Sequence, residues 1–82
     1  MERVEPNILL VVNNHELAVR IQKSLPKNFM VVGYLAALTG RVFDVVIFQM
    51  PRRDHPEQVY IDDWMHTSIM TRVKPGGVMH RI

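Results

Sequence analysis

Phe43-Asp44-Val45-Val46-Ile47-Phe48-Gln49, closed by Met50-Pro51 and followed downstream by Lys74-Pro75-Gly76-Gly77 and a short apolar end, is the stretch that decides the fold. Branched and aromatic residues without polar alternation form the pattern of a strand covered on both faces. Pro51 ends it. Asp54 or His55 can cap a helix with Pro56 in its first turn, and Val59, Ile61, Trp64, Met65 and Ile69 mark its buried side to about Val73. Pro75 stops that helix, Gly76 or Gly77 supplies the positive φ for the reversal, and residues 78–82 form a last strand. Strand, crossover helix and strand make a parallel unit, which places any ligand at the carboxyl ends of the strands.

Ile8-Leu9-Leu10-Val11-Val12 is a second branched apolar run and reads as the first strand. With Asn13 as N-cap, Glu16 falls where a capping box needs it, and Leu17, Ala18, Ile21 and Leu25 carry a helix to Pro26. Phe29-Met30-Val31-Val32 is a short second strand, and Gly33 suits a sharp exit or a close backbone approach. The connection to Phe43 leaves room for two helical turns over residues 35–38, short for a parallel crossover.

Length and composition bound the rest. Eighty-two residues allow one domain with a small core, since such a chain buries only about 60 to 65% of its unfolded surface. A hydrophobic content of 48% with 22% charged residues is that of a folded domain. Ten Lys and Arg against eight Asp and Glu give a net charge of +2, too little for a strong nucleic-acid binder. The absence of cysteine removes disulfides, thiolate catalysis and Cys-based zinc sites. No apolar run approaches the roughly 20 residues of a membrane helix, and the mixed-charge start does not resemble a secretion signal. A cytoplasmic location without membrane contact is expected.

From Phe43 onward the chain resembles the second half of class I S-adenosylmethionine-dependent methyltransferases, in which an FDVV strand, here Phe43-Asp44-Val45-Val46, is followed by a helix and a KPGG turn, here Lys74-Pro75-Gly76-Gly77. Where that family carries a Gly-rich cofactor loop this chain has Val12-Asn13-Asn14-His15, and Gly33-Tyr34 stand where its ribose-binding acid belongs. A second resemblance is to response-regulator receiver domains, with Asn13-Asn14 in place of the acidic pair and Gln49 nearest the phospho-accepting position. Amides neither hold Mg²⁺ as a carboxylate cluster does nor accept a phosphoryl group. Both resemblances imply topology: a small Rossmann-like α/β domain over residues 1–82, with residues 1–6 as a flexible tail. Four mainly parallel strands in order 2-1-3-4 and about three helices, in two or three layers, are predicted.

Asn13, Asn14, Gln49, Arg52 and Arg53 are expected to gather at the sheet edge where the first and third strands end, as a pocket for an anion or small polar ligand; a helix cap and solvated arginines account for the same residues. His15, His55, His66 and His80 lack metal-site spacing, so no metal is expected. Asp62 and Asp63, adjacent on a helix, point about 100° apart and form no dyad. Tyr60, Trp64 and Met70, with Arg72, Lys74 and Arg81 as a modest basic patch, are candidates for a partner surface, against a reading of Trp64 and the methionines as core. A sheet edge left open is a further partner site, including for a second copy. The resulting expectation is a small accessory or regulatory protein, non-catalytic and without cofactor, that binds another protein. A minimal or degenerate S-adenosylmethionine-dependent methyltransferase and a weak nucleic-acid-binding module are the alternatives.

Overall fold

The computed structural model describes residues 5–38 and 40–82. Most of the expected N-terminal tail, residues 1–4, therefore lies outside the described residues; Glu5 and Pro6 are exposed and irregular. Four strands, β1 (Ile8–Val12), β2 (Phe29–Gly33), β3 (Phe43–Phe48) and β4 (Val73–Arg81), form one sheet in the order β2-β1-β3-β4. Every neighbouring pair is parallel, as the continuous apolar runs require. The fold is α/β and Rossmann-like.

Two α-helices are present instead of three: α1 (His15–Gln22) and α2 (Gln58–Trp64). The third, expected over residues 35–38, is replaced by a turn at Tyr34-Leu35 and chain without regular secondary structure. Leu35 there adopts φ 63°, a left-handed conformation that costs a non-glycine residue about 1–2 kcal/mol. Ala36 and Leu38 offset it by packing on the core.

The sheet is covered on both faces, but unequally. On one face Ala18, with Leu17, Ile21 and Leu25, packs on Val12, Val31 and Leu10, so α1 sits over β1 and β2. On the other, Ile61, Met65 and Ile69 pack on Leu9, Val11, Val46 and Phe48. Ile61, Met65 and Ile69 recur every four residues, the spacing of one helical stripe. Val59, expected on that stripe, is 78% exposed because two residues before Ile61 is the far side of a helix.

The helical path does reach Arg72, but only its first part is α-helix. A π-helical stretch (Met65–Ile69) and a single 3-10 turn (Met70–Arg72) complete it. Polar side chains return to the preceding turn along this stretch: His66 Nδ1 to Asp62 O, Thr67 Oγ1 to Asp63 O and Thr71 Oγ1 to Ser68 O, at 2.8, 2.9 and 3.0 Å. Such back-bonding competes with the regular backbone ladder.

Lys74-Pro75-Gly76-Gly77 has a different role from the one expected. Val73 already pairs with Phe43, and Val78 pairs with Val45, so the four residues loop out as a bulge opposite Asp44. β4 thus starts earlier than residue 78. Gly76 does carry φ 83°, yet it shapes the bulge and is not a helix cap. A Cβ on Gly77 would lie 2.8 Å from Asp44 O. The bulge is pinned by Asp44, whose Oδ1 is 3.3 Å from Lys74 Nζ and whose Oδ2 accepts from Asn7 N at 2.8 Å. The Asn7 N–H bond, the largest effect, holds the Asp44 carboxyl below the usual carboxylate range; desolvation opposes it, and Lys74 adds a smaller lowering.

Candidate functional site

β1 and β3 are neighbours whose onward connections leave in opposite directions, β1 to β2 and β3 to β4. The strand order therefore reverses between them, and a crevice at their carboxyl ends is the geometric consequence. A crevice of about 470 Å³ is found there, within the range of about 300–1,000 Å³ of small-ligand sites. Asn13 lines it from the end of β1, Tyr34 from the end of β2, and Gln49 from the end of β3. The segment after β3 closes the other side with Met50, Pro51 and Pro56 as apolar wall and Arg52, Asp54 and His55 as polar groups.

Backbone bonds hold this rim. Gln49 N donates to Val11 O at 3.0 Å and Met50 N to Ile82 O at 2.8 Å, which extends the sheet past β3. His55 N donates to Arg52 O at 3.0 Å, closing a turn that carries Arg52, Asp54 and His55. His55 Nδ1 accepts the Glu57 N–H at 3.0 Å. The imidazole thus does what the expected side-chain cap would do, one residue ahead of the helix, although the N-cap position itself is Glu57 and makes no side-chain bond. With Nδ1 an acceptor, Nε2 is the ring nitrogen left to donate.

Beside Asp54 and His55, expected only as helix-cap candidates, the site residue that sequence reasoning missed is Tyr34. Its hydroxyl donates to Gln49 O, and its ring lies between Phe48, 5.9 Å between centroids, and His55, 5.8 Å and edge-on. Burial raises the phenol above its ordinary pKa, so it stays a neutral donor. Its only sequence signal is position, directly after Gly33 at the end of a buried strand. Gly33 itself is fixed by contact: a Cβ there would lie 2.6 Å from His15 N. The close approach of β2 to the start of α1 needs a residue without a side chain.

Of the five residues expected in the pocket, Asn13, Gln49 and Arg52 line it. Asn14 is elsewhere engaged: it, and not Asn13, is the N-cap of α1, its Oδ1 accepting from Leu17 N at 2.8 Å. That shifts the cap by one residue and removes the capping box, since the box required Asn13 at that position. Arg53 is exposed and is not among the lining residues. No group of three or more metal-ligating side chains occurs among the described residues.

The candidate partner residues do not form one patch. Lys74 and Arg81 stand toward opposite ends of the β3–β4 ladder, beside Asp44 and Phe48 respectively. Trp64 is half-buried with its ring 6.2 Å from that of Phe48, and Arg72 Nη2 donates to Leu38 O at 3.2 Å. Tyr60 and Met70 remain exposed at 68% and 44%.

A second surface is more coherent. Leu10 pairs with Ile47, and Ile47 with His80, so these side chains share the face on which α1 lies. Ile47 and Val45 are only half-buried, while Val78 and Ile82 are 46% and 68% exposed. The β3–β4 half of this face is thus left uncovered among the described residues. The two sheet edges also differ. At β2, Gln22 lays its side-chain amide along the strand, Nε2 to Phe29 O at 2.9 Å and Oε1 from Val31 N at 2.8 Å, which blunts the edge. β4 is the other edge and carries, among the described residues, the Lys74–Gly77 bulge. No helix of the described residues is long and apolar enough to cross a membrane. Comparisons with protein-family models, with curated proteins and with solved structures give no significant match to this chain.

Proposed function

We propose that this chain is a non-catalytic binding domain that receives one amphipathic helix of a partner protein on the open half of its sheet. The observation that carries the reading is the uncovered strip of Val45, Ile47, Val78 and Ile82, with the exposed His80 among them, on the face where α1 covers only β1 and β2. Parallel sheets are ordinarily covered on both faces, so an apolar half-face is an incomplete layer. Two strands at about 4.8 Å spacing make a strip roughly 10 Å wide, the diameter of one helix. Along β4 and its end the strip runs over residues 78–82, about 17 Å, which matches a helix of about 11 residues. A helix with an apolar stripe therefore fits the strip in both dimensions.

The test pairs capture from host lysate with a charge placed in the strip. Val78 is half exposed, so Val78→Glu leaves the core intact. The expected result is a protein retained by the wild type and by Arg52→Ala but lost from Val78→Glu, with hydrogen-exchange protection in the complex confined to β3 and β4. Retention of the same protein by Val78→Glu, or protection confined to the crevice, overturns the reading.

A further inference from the structure

We infer that the crevice at the ends of β1 and β3 is a site for a zwitterionic α-amino acid with an apolar side chain. The two charged groups that line it have opposite sign and stand two residues apart in one turn: Arg52 and Asp54. Neither takes part in an ion pair among the described residues. A simple anion meets repulsion from Asp54 and a simple cation from Arg52, whereas a ligand carrying both charges side by side satisfies both. The Arg52 guanidinium offers a carboxylate two parallel N–H bonds, and His55 Nε2, with Nδ1 accepting from Glu57 N, is a further donor. Asp54, with the amide oxygens of Asn13 and Gln49, supplies acceptors for an ammonium group. Met50, Pro51 and Pro56 form an apolar wall for a side chain. The site is distinct from the open half-face, so each stands or falls without the other.

The experiment is NMR titration of the isotope-labelled full chain with L-leucine, L-methionine and L-phenylalanine, beside acetate, methylammonium, inorganic phosphate and S-adenosylmethionine. The expected result is saturable shifts of the His55 ring and Gln49 side-chain amide signals with at least one of the three amino acids. Acetate and methylammonium should bind more weakly by about tenfold or more, and Arg52→Ala and Asp54→Ala should each weaken amino-acid binding to a similar degree. Both side chains are exposed, so neither variant endangers the fold. The inference is overturned if none of the three amino acids binds at about 10 mM, beyond the range of a weak millimolar site. It is equally overturned if phosphate or acetate binds as tightly and Asp54→Ala strengthens that binding, which marks a plain anion site, or if S-adenosylmethionine alone binds.

Discussion

Replacing Gly33 by alanine sets two general effects against each other, and the geometry decides the sign. Gly33 has an ordinary backbone conformation, since Gly76 is the glycine with positive φ among the described residues. Alanine is then conformationally acceptable, and the lost freedom of the unfolded chain by itself stabilises by about 0.4–1 kcal/mol. The added Cβ, however, would lie 2.6 Å from His15 N and 2.8 Å from Asn14 C. Both are backbone atoms at the start of α1, which no rotamer change can withdraw. Relieving the overlap means moving α1 away from β2, and with it the packing of Ala18 on Val12 and Val31. Overpacking of this kind costs about 1–3 kcal/mol. The net expectation is a destabilisation of about 1–2 kcal/mol, which for a domain of this size lowers Tm by roughly 5–15 °C. In urea, with a slope of about 1 kcal/mol per M, the midpoint falls by about 1–2 M. Gly40 is the control, because a Cβ there meets nothing within 4 Å; Gly40→Ala should be neutral or stabilising by about 0.4–1 kcal/mol. Thermal and urea unfolding followed by circular dichroism measure both. A Gly33→Ala protein as stable as wild type would refute the close-approach account.

Two more perturbations separate alternatives within the fold. Asn14→Ala should cost about 1 kcal/mol by removing the cap of α1, while Asn13→Ala should stay within about 0.5 kcal/mol; equal losses in urea unfolding would contradict the assignment of the cap. Asp44 gives a pH dependence whose sign follows from its depressed native pKa. Its contribution is complete above the ordinary carboxylate value and disappears as pH falls through the lower native value, so the Tm gap between wild type and Asp44→Asn should narrow from about pH 6 to about pH 2. A gap that stays constant over that range would remove the carboxylate from the account of the bulge.

The strands were legible because a parallel sheet demands residues that are apolar on both sides, and such runs stand out in sequence. Phe43–Phe48 and Ile8–Val12 occur as read, in the expected order. Helical segments were less secure where side chains compete with the backbone. Residues 35–38 have helix-compatible identities but are held by a left-handed Leu35 and by contacts to the core. The threonines after Trp64 belong to a stretch that departs from α geometry. Asn13-Asn14 announced a cap, expected at Asn13 and made by Asn14, since either side chain can reach an N–H three residues on.

By itself, then, the sequence determined a parallel α/β sheet of order β2-β1-β3-β4 and the end of it at which a crevice forms, because strand burial and strand order are written in local patterns. Tertiary structure alone decided the rest. Only packing brings Tyr34 onto Gln49 and the ring of His55, turns Lys74-Pro75-Gly76-Gly77 from a helix stop into a bulge beside Asp44, and leaves half of one sheet face open while α1 covers the other half. These are contacts between residues far apart in the chain, and no local period or propensity encodes which distant surface a side chain will meet.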